Sequence, residues 1–277
     1  MPRTSVFTHK SFRSFLLVLA VLFVLFLSGC QASTEPIDAE TTGTFNHYVV
    51  YPFSFLIKYF ASLFNGNYGL SIVLMTLLIR IAIMPLMLKQ FKMQMFMKEK
   101  MTVIKPEMDE LREKYKNDKT SDAKRQMQKE MMELYQKHNF NPMASMGGCL
   151  PMFIQLPIMI GFYYAIMRTP EIAEHTFLWF NLGESDIVLP FIAAFVYLVQ
   201  FKISQQNMDI GNEQQKQQMA VMGYMMPLFM GFISFNVAAA LPLYWSVGGL
   251  FLIGQTLLFR WIVKPKTSSI ETSMQKQ

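Results

Sequence analysis

Five runs of about twenty mostly apolar residues, at positions 68–88, 150–167, 187–204, 219–237 and 241–263, constrain this chain more than any other feature. A helix of that length crosses the roughly 30 Å hydrocarbon core of a bilayer. Composition points the same way, with 52% hydrophobic and 16% charged residues, where soluble chains carry about 25% charge. The charge is clustered: thirteen of the 25 basic residues and nine of the 19 acidic ones lie between Lys89 and Lys137. The expected fold class is an all-α membrane protein with five transmembrane helices, an interfacial amphipathic helix and a cytoplasmic helical hairpin. Only a tight turn, 236–242, separates the last two spans, so they must be antiparallel neighbours.

Charge asymmetry gives an orientation. Segments 31–67 and 169–186 carry one base, Lys58, and seven acids. The opposite loops carry the thirteen bases of the Lys89–Lys137 stretch, then Lys202 and Lys216, then Arg260, Lys264, Lys266 and Lys276. Positive residues mark the cytoplasmic side, so the amino terminus is expected outside and the carboxyl terminus inside. The net charge of +6 therefore belongs beside spans and anionic lipid, and no base-reading module accompanies it. No internal repeat of the kind that builds many transporters is visible.

The first 29 residues have the layout of a secretory signal peptide, with Arg3, Lys10 and Arg13 ahead of an apolar run over 15–27. Leu27-Ser28-Gly29-Cys30 resembles a bacterial lipobox, in which Cys30 is lipidated and anchored to the outer leaflet. Cys149, at the mouth of the second span, reads as a small buried apolar residue. Residues 30–47 form a polar, flexible external linker, and 48–66 an interfacial amphipathic helix whose polar stripe is Ser54, Lys58 and Ser62. The first span occupies 67–89. Residues 90–140 follow as a hairpin, broken at 117–121, with Pro106 as a start or a kink. Its methionines, Met93, Met95, Met97, Met101, Met108, Met127, Met131 and Met132, serve either as internal packing or as an adaptable surface for apolar partners. Spans two to five fill 141–263, and 264–277 is a cytoplasmic tail.

Arg80 stands in the middle of the first span, among Leu77, Leu78, Ile79, Ile81 and Ile83. A central arginine costs about 2.5–3.5 kcal/mol on insertion scales. None of the five runs contains Asp or Glu, so no counter-ion awaits it there. The economical solution is a hydrated cavity, which Thr76, Gln155, Gln200 and Gln255 could line. The alternative is a structural arginine bonded to backbone carbonyls. No histidine or carboxylate relay occupies the runs, and neither a P-loop nor a catalytic or metal motif is present, so no catalytic residue, metal or cofactor is expected. A fixed, unpaired cation would attract the acidic end of another polypeptide. A small-solute transporter or channel is the competing class.

The ordered motifs Asn67-Tyr68-Gly69-Leu70-Ser71, Arg80 with Pro85-Leu86, Asn141-Pro142-Met143, Cys149-Leu150-Pro151-Met152-Phe153-Ile154-Gln155-Leu156-Pro157, Phe177-Leu178-Trp179-Phe180 and Leu243-Tyr244-Trp245 resemble the YidC family of membrane protein insertases, in its Gram-positive lipoprotein form. The resemblance implies a hydrophilic groove open to the cytoplasm and inner bilayer, with Arg80 as the groove arginine and Thr76, Gln200, Tyr244 and Trp245 as groove or substrate-contacting residues. End-of-span polarity also accounts for Gln200, and an interfacial aromatic belt for Trp245. The implied partners are nascent membrane proteins, the lipid bilayer, the Sec translocon and the ribosome. The implied location is the bacterial cell membrane.

Overall fold

A computed structural model describes residues 35–118, 120–140, 150–205 and 213–263 of the chain. Among the described residues the architecture is helical, with one two-stranded ribbon. The signal-peptide stretch, Cys30, Cys149 and the carboxyl-terminal tail lie outside them.

A π-helical turn, Asn46–Val50, runs directly into helix α1, Tyr51–Leu63. α1 ends where Asn65 and Gly66 enter the left-handed region (φ 54° and 86°), and the Gly66 N–H returns to Ala61 O at 2.8 Å. Asn67 then caps the next helix by accepting from Leu70 N–H at 2.9 Å.

That helix, α2, runs unbroken over Tyr68–Tyr115, 48 residues or about 70 Å. The expected boundary between a first span at 67–89 and a separate hairpin at 90–140 is therefore absent. Lys, Gln and Met favour helix after position 89, and Pro85 and Pro106 are accommodated inside α2, so nothing stops it at the membrane edge. The break expected at 117–121 is present. Asp118 accepts from Thr120 N–H at 3.0 Å, and Thr120 caps helix α3, Ser121–Lys137, through Ala123 N–H.

α3 folds back on the outer half of α2 around a small core of Met97, Ile104, Met108 and Phe140, flanked by Met101, Met131, Leu134 and Tyr135. Ion pairs fasten the rim, Lys114 to Glu130 at 2.8 Å and Lys137 to Glu107 at 2.7 Å. The two readings of the methionines divide by residue: Met97 and Met108 pack inside, while Met93 and Met132 are exposed.

Five more helices and a ribbon complete the fold among the described residues: α4, Leu150–Met167; α5, Pro170–Ala173; β1, Thr176–Phe177, antiparallel to β2, Phe180–Asn181; α6, Leu189–Gln205; α7, Glu213–Ser234; and α8, Ala240–Ile262. Asp186 caps α6, accepting from the N–H groups of Val188 and Leu189. α6 and α7 pair, as do α6 and α8, and α8 also packs on α2 and α4, which makes it the central element. α2 and α8 are long and apolar enough to cross a membrane, whereas Gln155–Met167, Leu189–Gln205 and Ala220–Ser234 are shorter apolar stretches. The outer faces of α6, α7 and α8 expose Phe191, Phe195, Leu228, Phe229, Phe232, Leu250, Leu257 and Trp261. Soluble monomers rarely expose so much apolar surface.

The main core gathers at the amino-terminal ends of α2 and α8, from Val50, Ile57, Ile72, Phe162, Ile172, Leu182 and Leu241. Two expectations change here. The linker is not loose throughout, because Ile37 is buried in this core and its N–H donates to Arg168 O at 3.0 Å. The stripe on α1 does not face water as a unit. Ser54 is buried and donates to Thr169 Oγ1 at 2.7 Å, since the Thr169 hydroxyl proton is committed to Ala165 O. Lys58 reaches Glu171 at 2.7 Å, and Tyr48, Phe55, Tyr59 and Leu63 point outward instead. Ser54 faces inward because the bundle supplies a partner for it, while Ser62 stays exposed; Phe53 and Phe60 pack on the core, and Phe55 and Tyr59 face out.

Candidate functional site

The site forms where α2, α4 and α8 meet. Arg80 lies twelve residues into α2 and is 8% exposed. Close approach is possible because α8 carries glycine opposite it: a Cβ on Gly248 would sit 2.9 Å from Arg80 Nη2. The guanidinium Nη1 donates to Gln155 Oε1 at 3.1 Å, and Gln155 Nε2 donates onward to the Tyr244 hydroxyl at 3.3 Å. Tyr197 on α6 and Tyr244 on α8 are near enough for the charge of Arg80 to act on their phenols. Among the described residues Arg80 forms no salt bridge.

Arg80, Gln155 and Tyr244 are therefore brought together as a chain of polar groups across three helices. Neither sequence alternative matches this arrangement in full. The arginine is largely enclosed, not openly wet, yet among the described residues it bonds one neutral amide and no main-chain carbonyl. A guanidinium carries five donors, and among the described residues Gln155 is the one acceptor that meets them.

The remaining expected residues fall elsewhere or play other parts. Thr76 is fully buried, but its hydroxyl donates to Ile72 O at 2.7 Å, so its polarity is spent on its own helix. Gln200 is half-buried near the end of α6 and donates to Ser204 Oγ at 3.1 Å, a pairing that joins it to the helix end. Trp245 packs along the edge of the main core. Gln255 is buried on the same face of α8 as Gly248, and its Oε1 has no partner.

Sequence reading passed over three further polar groups. Ser246 and Gln90 are buried with unpaired side-chain atoms, the hydroxyl in one and both amide atoms in the other. α2 and α8 run side by side here, with Gly248 against Arg80 and Phe91 against Phe259 at 5.6 Å. Buried polar atoms are paired in the great majority of cases; Gln255 shares the α2-facing side of α8 with Gly248, whereas Ser246 lies on the opposite side of that helix. Arg168, at the end of α4, is the third. It is 5% exposed and donates to Glu35 O at 2.7 Å and to Asn46 Oδ1 at 3.1 Å.

A helical bundle with a broad apolar exterior, two helices long and apolar enough to cross a bilayer, and a buried arginine with no salt bridge among the described residues has the character of a membrane protein. Residues 59–266 match the family model described as 60Kd inner membrane protein, and the chain belongs to that family. It is 47% identical over 255 residues to the membrane protein insertase YidC 2 of Listeria monocytogenes, covering 92% of this chain and 90% of the relative. Two relatives from Bacillus subtilis are the membrane protein insertases MisCB, 45% identical over 253 residues (88% and 91% covered), and MisCA, 47% over 247 residues (88% and 90%).

Proposed function

We propose that the chain is a membrane protein insertase and folding chaperone. It receives nascent membrane proteins, and lipoproteins among them, from the cytoplasmic side and hands their apolar segments to lipid, with or without the Sec translocon or a bound ribosome. The role is non-enzymatic. The names of the relatives support it, and the observation that carries the mechanism is Arg80 in the bundle with, among the described residues, a single neutral hydrogen-bond partner.

A polar chain segment crossing hydrocarbon pays for desolvation of its charges and of every unpaired backbone group. Arg80 offers an acidic terminus a charge-assisted bond in low dielectric. Gln255, on the side of α8 that meets α2, offers an amide oxygen to its backbone N–H groups. Both lower a barrier without any covalent change. Five spans, α1 lying in the interface, a lipidated Cys30 outside and a cytoplasmic tail complete this reading in a bacterial cell membrane. Thr76, Gln200, Tyr244 and Trp245 remain in it as groove residues, Tyr244 through Gln155.

The test is insertion of a single-span client with an acidic external tail into vesicles containing the purified protein. Arg80→Ala and Arg80→Glu should abolish it while the protein stays folded. Arg80→Lys should retain it if point charge suffices, and fail if a forked geometry is needed. Solute flux through such vesicles without insertion would favour the transporter reading instead.

A further inference from the structure

The ribbon β1–β2 ends in a tip that turn chemistry does not explain. Phe177 pairs with Phe180, leaving Leu178 and Trp179 as a two-residue loop. Such loops favour Asn and Gly, which adopt left-handed backbone at little cost. Leu178 adopts it here, with φ 55°. The tip is also exposed, Leu178 by 73% and Trp179 by 56%. Two large apolar side chains thus occupy the positions where small polar ones would form the turn more easily, and neither packs into the core.

The base of the ribbon is rigid. Phe180 is buried in the main core and meets Phe177 edge-on at 5.9 Å. Phe177 lies so close to α2 that a Cβ on Gly69 would come within 2.1 Å of its ring. His175 sits 4.7 Å from Tyr68, and Ala240 N–H donates to Leu182 O at 3.1 Å. The tip is therefore fixed to the first turns of α2 and α8, at one end of the membrane-crossing helices. Ile187, Val188 and Phe191 continue the exposed apolar surface from the start of α6.

We propose that Leu178 and Trp179 form a lipid anchor, entering the interfacial layer of the leaflet at the amino-terminal end of α2 and setting the depth at which the bundle rides. Tryptophan suits that layer because its ring is apolar and its N–H is not. The nearby charges are the acids Glu171, Glu174, Glu184 and Asp186, with Lys58 paired to Glu171, so entry is driven by apolar contact and needs no anionic lipid. Eleven residues separate Gly69 from Arg80, about 16 Å of helix, so a fixed tip also fixes the depth of the arginine. That last consequence rests on the insertase reading; the anchor itself rests only on membrane embedding.

The test uses the full chain in phosphatidylcholine vesicles, with no client present, so failure of insertion cannot disturb it. Trp245→Phe and Trp261→Phe leave Trp179 as the sole tryptophan of three. Its emission should lie to the blue of a water-exposed indole. It should lose most of its intensity to lipids brominated near the ester end of the chains, less to lipids brominated near the methyl end, and not depend on the protein-to-lipid ratio. Emission at the water position, indifferent to both bromolipids, overturns the proposal. So does a shift that appears only on raising protein concentration, which would mean a second copy, or only on adding a client polypeptide. A second variant, Leu178→Asn with Trp179→Gly, suits the turn and should fold. With Trp245→Phe added, Trp261 reports from the far end of α8. Its quenching profile should shift relative to a Trp179→Phe, Trp245→Phe protein, which keeps an apolar tip and the same single reporter, and an unchanged profile refutes depth-setting.

Discussion

Gln155→Glu should separate a receptive Arg80 from a merely structural one. The carboxylate would replace a neutral acceptor 3.1 Å from Nη1 and supply the counter-ion that the bundle otherwise lacks. At a separation near 4 Å and an effective dielectric of about 20, opposite charges attract by roughly 4 kcal/mol. A client carboxylate would have to displace that pairing, a penalty approaching a thousandfold if none of it were recovered elsewhere. Insertion of a client with an acidic tail should fall at least tenfold, while unfolding in detergent moves little or to higher denaturant. Gln155→Leu is the control. It removes one bond to a charged group and should destabilise the fold by about 1.5–3 kcal/mol, yet it leaves the cation unneutralised and insertion largely intact. Unimpaired insertion by the Glu variant would refute the claim that Arg80 receives client acids.

Three further outcomes follow from the packing and the charges. Gly248→Ala places a methyl 2.9 Å from Arg80 Nη2 and should cost about 1–3 kcal/mol as the guanidinium is pushed aside, read as a lower unfolding midpoint in detergent. Arg168→Gln removes the clamp on Glu35 O and Asn46, so limited proteolysis should cut within residues 35–45 of the variant and spare the native chain. Lys137 and His138, bonded to Glu107, hold its carboxyl below the ordinary value. A depressed carboxylate stabilises fully above the unfolded value and loses that contribution as pH falls through the folded one. Amide exchange at the base of the α2–α3 hairpin should therefore accelerate below about pH 4, and Glu107→Gln should remove the pH dependence.

Much of this was legible from residue pattern. The apolar runs located α4, α6, α7 and α8 to within a few residues, apart from the start of α7 at Glu213, because hydrocarbon length leaves little freedom. Arg80 was visible as an uncompensated cation, and Gln155 as one of four polar residues that could line a cavity around it. The end of the first span was not visible, since helix propensity carries α2 through the boundary where hydropathy changes. The inward turn of Ser54 was hidden because its partner, Thr169, is 115 residues away. Gly248 gave no sign of its role, for only the crossing of α8 on α2 makes its missing side chain matter. The linker seemed loose because its composition is polar, yet one residue, Ile37, ties it to the core.

The central claim is that position 80 is reached from the cytoplasmic side. Arg80→Cys in a Cys149→Ser background, in vesicles of known orientation, should react with a membrane-impermeant maleimide added on that side. A thiol there that stays unmodified until the protein is denatured would contradict the account.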